Sequence, residues 1–92
     1  MEPAIIHDEE KKKFVAAVDG YEAELDYKMV DDKTINFYRT FVPDELRGRG
    51  IAGKLTNKGI EYASEKGLKV IPGCSYVAAF FKKNEKLESL LG

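Results

Sequence analysis

A short loop rich in glycine and arginine, near the middle of the chain, has the residue types and spacing most suited to chemistry. It runs Arg47-Gly48-Arg49-Gly50-Ile51-Ala52 and comes directly before a segment with helical periodicity. Glycine lets a backbone approach a ligand closely, and the first turn of a helix carries free N–H groups at the positive end of the helix dipole. Arginine side chains add positive charge beside those groups. The loop therefore predicts a diphosphate-binding site, and it fits equally well a glycine-rich turn with two solvated arginines.

Cys74 is the single thiol of the chain, and it comes just before a predicted helix. A thiolate at a helix N-terminus is stabilised by the helix dipole, so this position suits a cysteine that accepts an acyl group and passes it on. The alternative is a small packing residue, which is the commoner role of a free cysteine. One cysteine makes no internal disulfide, and Cys74 and His7 are too few soft ligands for zinc, so no metal is expected.

Carboxylates alternate with apolar residues along one predicted strand of the first half. Glu24 and Asp26 are candidates to accept a proton from an ammonium group, whose pKa is near ~10. The same alternation is typical of a solvated strand face, which is the simpler interpretation. His7 lies in a charged N-terminal stretch and is expected at the surface.

Hydrophobic periodicity predicts the strands that must position these residues. They are expected at residues 4–7, 12–18, 21–30, 34–42 and 68–71, with Asp19-Gly20 as a hairpin turn. The fourth strand is apolar on both faces, as a central strand should be. Simple alternation places Ile35, Phe37 and Phe41 on one face of it, against Tyr38 and Val42 on the other.

The period changes to that of a helix after Gly50. Small and apolar residues from 51 to 63 share one face, and Gly67 suits a left-handed cap. Ser75 is expected to cap a second helix, and Leu87 begins a final helical turn. A strand, a long helix and a strand form a crossover with parallel strands. We expect an α+β fold with a mixed, mostly antiparallel sheet, one such crossover and one or two further short helices.

The composition limits the class of protein. Ninety-two residues with 43% hydrophobic content predict one domain spanning residues 1–92. No apolar run reaches the roughly 20 residues of a membrane helix, and the charged N-terminus lacks a signal peptide, so a cytoplasmic protein without a membrane partner is expected. Residues 1–35 carry ten acidic and five basic side chains, whereas residues 36–92 carry ten basic and six acidic ones. This asymmetry favours a local anionic ligand over a long nucleic acid.

Arg47, Gly50 and Ala52 follow the order Arg or Gln, two residues, Gly, one residue, Gly or Ala. In this the loop resembles the acetyl-coenzyme A signature of the GNAT superfamily of N-acetyltransferases. The chain also resembles a minimal GNAT-like subfamily with a single acetyl-CoA-binding domain, which shares the pattern V-P-x-x-x-R-G-x-G-I-A and a later Pro-x-Cys-x-Tyr segment. That segment is Pro72 to Tyr76 here, and the resemblance runs from about residue 5 to residue 81.

The resemblance implies acetyl-coenzyme A as cosubstrate and a primary amine, on a protein lysine or a small molecule, as acceptor. In GNAT folds the central strand and the strand after the long helix splay apart, and the pantetheine arm lies in the gap. Backbone groups of Phe41 and Val42 are then expected to contact that arm, and the thioester to reach toward Cys74. Residues 47–52 are expected to bind the cofactor, with its diphosphate at the backbone of residues 47–50. Tyr76 is expected to protonate the departing thiolate, or else to pack as a surface aromatic residue. Direct transfer is general in the superfamily and is expected here rather than an intermediate on the cysteine.

Two departures from the larger GNAT enzymes leave the acceptor open. The chain has only a turn at Glu9–Glu10 where those enzymes have two helices, and it lacks their later strands. Some relatives carry a histidine where this chain has Arg39, which stays protonated and is no base. We expect an N-acetyltransferase, with a non-catalytic coenzyme A-binding module as the alternative. A protein-interaction or nucleic-acid adaptor that uses the basic second half ranks third.

Overall fold

A five-stranded sheet forms the frame of the protein, in a computed structural model that describes residues 4–92. The strands are β1 (Ile5–Asp8), β2 (Lys13–Val18), β3 (Tyr21–Asp31), β4 (Thr34–Phe41) and β5 (Lys69–Pro72). The helices are α1 (Ile51–Glu65) and α2 (Ser75–Lys83), with 3₁₀ turns at Asp44–Leu46 and Glu85–Leu90. All five expected strands and both expected helices are present, and the strand ends differ from expectation by single residues.

The strands lie in the sheet in chain order, from β1 to β5. Neighbours from β1 to β4 are antiparallel, whereas β4 and β5 are parallel and are joined through α1. Antiparallel neighbours need only short turns, but a parallel pair needs a long connection, which the helix provides. The predicted α+β class, with a mostly antiparallel sheet and one parallel crossover, is confirmed.

The hydrophobic core lies between one face of the sheet and the two helices. The alternation in β3 explains this, because Ala23, Leu25 and Tyr27 are buried while the charged residues between them point to the other face. From α1, Leu55 and Ala63 are fully buried against these strands. The helices thus cover one side of the sheet and leave the charged side of β1 to β3 uncovered.

A β-bulge at Tyr38 interrupts the alternation of β4. Tyr27 pairs with Phe37, but the preceding residue Asp26 pairs with Arg39, so Tyr38 is an extra residue in the ladder. The expectation that Phe41 shares a face with Phe37 is therefore wrong. Phe41 pairs with Glu24 on the charged face and is 43% exposed.

The bulge also reverses the next positions of β4. Thr40 pairs with the buried Leu25 and so lies on the helix-covered face, whereas Arg39 lies on the charged face with Asp26. One inserted residue reverses the face of every later side chain because strand side chains alternate with a period of two.

One of the two expected helix caps is present, and the other is at a different residue. Gly67 has φ +68°, and the N–H groups of Gly67 and Leu68 donate to the carbonyls of Ser64 and Ala63, which is the expected left-handed glycine cap of α1. The expected Ser75 cap is wrong. Cys74 occupies the N-cap position of α2 with extended backbone angles, and Ser75 is already helical.

The C-terminal residues pack back against the sheet. Leu91 bridges Val70, and the Gly92 N–H donates to the Val70 carbonyl at 2.9 Å, so the end of the chain runs along β5. Between residues 4 and 92, no helix is long and apolar enough to cross a membrane. Over the same residues, no three His, Cys, Asp or Glu side chains are grouped to hold a metal ion.

Candidate functional site

The loop between β4 and α1 takes its shape from two glycines. Gly48 has φ +81° and Gly50 has φ +72°, a backbone region that costs other residues about 1–2 kcal/mol. Gly50 is the N-cap of α1, and within residues 4–92 no side chain caps this helix or places an acidic group in its first turn. The first N–H groups of α1 therefore lack intrahelical partners, and the helix dipole there favours an anion.

A cleft of about 270 Å³ opens at this helix N-terminus. It is lined by the end of β4, the loop, the first turn of α1 and one residue of α2: Val42, Leu46, Arg47, Gly48, Gly50, Ile51, Ala52, Gly53 and Tyr76. The Tyr76 hydroxyl oxygen lies 3.4 Å from where a Cβ on Gly53 would be, so the tyrosine hydroxyl is close to the first turn of α1. Six of the eight residues predicted to bind the cofactor line this one cleft, and Phe41 and Arg49 do not.

The two loop arginines point in different directions. Arg47 lines the cleft, is 72% exposed, and has its Nε 3.2 Å from Oδ1 of the nearby Asp44. Arg49 instead extends to Asp19, at the tip of the β2–β3 hairpin, and its guanidinium nitrogen lies 2.8 Å from Oδ2 of that residue. Arg47 thus lines the cleft while its guanidinium pairs with Asp44, and the guanidinium of Arg49 pairs with Asp19 at the hairpin.

The parallel strands β4 and β5 part before β4 ends. Their pairing runs from Thr34–Lys69 to Phe37–Pro72, and β4 then continues to Phe41 with β3 as its strand partner. On the side toward β5, this last part of β4 has no strand partner within the described residues. Unpaired backbone N–H and C=O groups at a strand edge can bond an extended ligand. This open edge leads to Val42, which lines the cleft.

Cys74 lies across this gap from β4. Its sulfur is 3.2 Å from the hydroxyl oxygen of Thr40, and the cysteine is partly buried at the N-cap of α2. Sequence reasoning selected Cys74 but missed Thr40, because regular alternation places Thr40 on the other face of the strand. Tyr76, the other predicted catalytic residue, lies in the cleft beside Gly53.

A comparison with known families gives the affiliation of the chain. The model of the GCN5-related N-acetyltransferase family matches residues 13–90, which include the loop, the gap between β4 and β5, and Cys74. The chain belongs to this family. The resemblance to the GNAT superfamily drawn from the loop residues is confirmed.

Individual relatives agree with the family assignment. The protein called NATD1 of Xenopus tropicalis is 35% identical over 80 residues, which cover 85% of this chain and 73% of the relative. The NATD1 protein of Gallus gallus is 32% identical over the same length. The NMR structure of a GCN5-like protein from Staphylococcus aureus, proposed to be an N-acetyltransferase, matches 97% of this chain and 87% of its own with a TM-score of 0.77 and 32% identity.

The uncovered face of the sheet in this GCN5-related protein carries a charged network. One guanidinium nitrogen of Arg39 lies 3.0 Å from Oε2 of Glu24 and 3.0 Å from Oδ2 of Asp26, and Lys13 lies 3.5 Å from Glu24. The two carboxylate side chains are only 22% and 15% exposed, so on this solvent-facing side of the sheet they are ion-paired and partly shielded rather than freely solvated. The cause is the bulge at Tyr38, which brings Arg39 onto this face.

The environment of Glu24 changes its acidity. A hydrogen bond with Asp26, together with burial, raises the pKa of the Glu24 carboxyl above its ordinary value, and the neighbouring cations oppose this only in part. The other oxygen of Asp26, Oδ1, is buried without a hydrogen-bond partner among the described residues. A carboxylate with a raised pKa is a stronger base than an exposed one.

His7 is partly buried, whereas from the sequence it is expected at the surface. Its ring stacks on Phe14 with centroids 4.1 Å apart, meets Tyr62 edge-on, and has Nε2 2.6 Å from the Tyr27 hydroxyl. Burial lowers the pKa of His7 below its ordinary value. Burial, followed by the nearby Tyr62, raises the pKa of Tyr27 to about 12. The pairing of His7 with Phe14 across β1 and β2 turns the histidine toward the helix-covered face, beside the core, and no local pattern indicates this.

Proposed function

We propose that this protein binds acetyl-coenzyme A at the cleft before α1 and transfers the acetyl group to a primary amine. The observation that carries the proposal is the uncapped N-terminus of α1, which opens on a cleft beside the strand edge that β5 leaves free. Acetyl-coenzyme A supplies an activated thioester when bound. The diphosphate, the pantetheine arm and the thioester need an anion site, a free strand edge and a reaction point in that order. These features lie side by side in space, because the cleft reaches Val42, the free edge of β4 runs back from there, and Thr40 on that edge meets Cys74.

The residues divide the binding between backbone and side chains. N–H groups from Gly48 to the first turn of α1 would hold the diphosphate, and Arg47 would add charge from the cleft wall. Backbone groups of Phe41 and Val42 would pair with the amides of the pantetheine arm, as an edge strand pairs with an added strand. Ile51 and Ala52 begin the helix that carries the anion site.

The acceptor side requires removal of a proton before an amine can attack. A primary amine has a pKa near ~10 and is charged at neutral pH, so a base must take its proton. Glu24 is our candidate, because it pairs with Phe41 at the end of β4 and its raised pKa makes it more basic than a solvated carboxylate. Tyr76 is the candidate acid for the departing thiolate, because it lies in the first turn of α2, two residues after Cys74. Its hydroxyl lies beside Gly53, so this role requires the side chain to turn toward the thioester.

A second candidate function is a coenzyme A-binding module without transfer activity. The observation that favours it is the ion pairing of Arg39, which engages both Glu24 and Asp26 and competes with an amine for them. The Glu24→Gln variant separates the two functions. In an acetyltransferase, Glu24→Gln lowers kcat by about 10²–10⁴-fold, as loss of a general base does, and leaves coenzyme A affinity unchanged.

The test combines binding and turnover on the same protein. Calorimetric titration with coenzyme A is followed by an assay of free thiol release from acetyl-coenzyme A over a panel of small amines and lysine peptides. Binding with turnover supports the transferase, and binding without turnover on any amine supports the module. Failure of coenzyme A to bind would remove both functions, and steeply salt-dependent binding to duplex DNA or RNA would favour the adaptor.

A further inference from the structure

Arg49 forms a long-range contact that its place in the glycine loop does not suggest. It lies between the left-handed residues Gly48 and Gly50, yet its guanidinium leaves the loop and meets Asp19, thirty residues earlier, with a nitrogen–oxygen distance of 2.8 Å. Arg47 makes the opposite kind of contact, with its neighbour Asp44 three residues away. One arginine therefore joins the loop to another element, and the other stays within the segment that it belongs to.

Asp19 is a well-defined attachment point. It is the first residue of the two-residue β2–β3 turn, with φ +50°, and Gly20 follows with φ +82°. The ladder closes directly beside it, because Val18 pairs with Tyr21. Positive φ at both turn residues matches the twist of the flanking strands, so the turn and its carboxylate are held by the sheet.

The Arg49 side chain lies outside the cleft that its neighbours line. The residues on both sides of it, Gly48 and Gly50, line the cleft, and Arg49 does not. The Arg49 side chain is 48% exposed, and its guanidinium already faces the Asp19 carboxylate at the hairpin tip before any ligand arrives. Its guanidinium is thus directed at the hairpin and away from the anion site.

We infer that Arg49 is a positioning residue that anchors the glycine loop to the tip of the β2–β3 hairpin, and that it does not itself bind the diphosphate. This inference rests on the proposed function for the role of the loop. Two glycines give the loop many alternative conformations, and glycine loses the most conformational freedom when a chain is ordered. An attachment between them restricts the loop to the arrangement in which its N–H groups converge, so that the anion site exists before the ligand binds.

The expected effect is modest because both partners are exposed. Exposed ion pairs change an equilibrium by about two- to five-fold, and salt weakens them. Removing the anchor lowers the fraction of protein with a binding-competent loop, and the apparent Kd rises in the same proportion.

The test is a double-mutant cycle on coenzyme A affinity, with the local ion pair as a matched control. Asp19→Asn removes the charge but keeps a residue that tolerates positive φ, and Arg49→Gln removes the cation. If Arg49 is an anchor, each variant raises the Kd of coenzyme A by the same two- to five-fold, and the double variant raises it no further. In the control pair, Arg47→Gln weakens binding, but Asp44→Asn leaves it unchanged or tightens it because Arg47 is released.

The opposite assignment gives a different pattern. If Arg49 binds phosphate, Arg49→Gln weakens coenzyme A while Asp19→Asn leaves it unchanged or tightens it, as Asp44→Asn does. That result overturns the anchor.

A second measurement does not depend on the ligand. Backbone ¹⁵N order parameters of Gly48 and Gly50 in the free protein should fall in both Asp19→Asn and Arg49→Gln, and not in Asp44→Asn. Unchanged order parameters in the first two variants overturn the anchor even if coenzyme A binds well. If coenzyme A does not bind at all, the proposed function fails, and the order parameters still decide whether Arg49 anchors the loop.

Discussion

The hydroxyl oxygen of Thr40 lies 3.2 Å from the sulfur of Cys74, across the gap where β4 and β5 part. The two residues are 34 positions apart in the chain. The contact exists because the bulge at Tyr38 turns Thr40 to the helix-covered face, and Cys74 begins α2 just beyond the end of β5. It places the thiol beside the strand edge proposed to bind the pantetheine arm.

The first prediction concerns whether Cys74 carries the acetyl group. In a covalent route, the sulfur of Cys74 bonds to the acetyl carbon, the bond from that carbon to the coenzyme A sulfur breaks, and coenzyme A leaves as a thiol. We expect direct attack by the amine instead, since a free cysteine is commonly a packing residue. Protein incubated with acetyl-coenzyme A and no amine should show no added acetyl mass, and Cys74→Ala should keep its turnover.

Thr40→Val is the matched control, because it removes the hydroxyl and keeps a branched side chain. An acetyl mass that is absent from Cys74→Ala and is discharged by an amine would contradict direct transfer. In that case Thr40→Val should slow acetylation of the thiol by removing its hydrogen-bond partner. An acetyl group that forms on the protein and is never removed by an amine would support the coenzyme A-binding module.

The second prediction tests the left-handed glycine at the start of α1. Gly50→Val should abolish coenzyme A binding, because the native φ of +72° is strained by about 1–2 kcal/mol for any other residue and the loop shifts to avoid it. The fold should survive, since a Cβ at this position meets no atom within 4 Å. Chemical shifts of residues 41–55 should move on titration of the wild type and not of the variant.

Gly67→Ala provides the comparison for that experiment. It imposes the same kind of strain at φ +68°, but at the far end of α1. It should lower the free energy of unfolding and leave the affinity for coenzyme A intact. Equal loss of binding in both variants would mean that the affinity for coenzyme A does not depend specifically on the conformation of the loop.

The third prediction separates the phosphates from the rest of the cofactor. Pantetheine, which lacks the diphosphate, should bind much more weakly than coenzyme A if the N-terminus of α1 is the anion site. Arg47→Ala should weaken coenzyme A modestly, because an exposed arginine contributes screened electrostatics, and should not change pantetheine binding. Calorimetry at two salt concentrations measures the affinity for each ligand and its dependence on salt. Equal affinity for coenzyme A and pantetheine would exclude a loop that binds the phosphates.

The fourth prediction is a loss of stability in acid that comes from His7. Burial lowers its pKa in the folded protein below 6.5, so the unfolded chain binds more protons as the pH falls. The stabilisation from neutral His7 is complete above the unfolded pKa and is lost as the pH drops below it, by at most about 1.4 kcal/mol per pH unit for one proton. Glu24, whose pKa is raised, acts in the opposite direction in its own lower pH range.

The measurement for His7 is urea unfolding at pH 7.5 and pH 5.5, compared with the His7→Phe variant. Phenylalanine keeps a ring to stack on Phe14 but has no proton to bind. The difference between the two proteins isolates the histidine from the carboxylates. A wild type that loses no more stability than His7→Phe would contradict the prediction.

Much of the fold follows from local chemistry and was therefore accessible from the residues alone. Asp19-Gly20 forms its turn because both residues adopt positive φ, and Gly67 caps α1 for the same reason. Alternation in β3 sorts its side chains to two faces, and the glycine spacing of the loop marks the start of α1. Each of these features depends on neighbours in the chain, so a short window of sequence contains its cause.

The side-chain partners within the candidate site depend on the folded chain. Thr40 meets Cys74 and Arg39 meets Glu24 only because one extra residue at Tyr38 reverses the alternation of β4. Periodicity in a single strand cannot reveal a bulge, because a bulge is a mismatch between two strands.

His7 and Arg49 show the same limit. The charged N-terminal stretch does not indicate that strand pairing turns His7 toward the helix-covered face, where it is partly buried beside Tyr27. The sequence of the glycine loop does not indicate that Arg49 reaches Asp19, thirty residues away. Contacts between distant segments are selected by register and packing of the whole chain, and that is why the backbone of the site could be predicted from its residues while the directions of its charged side chains could not.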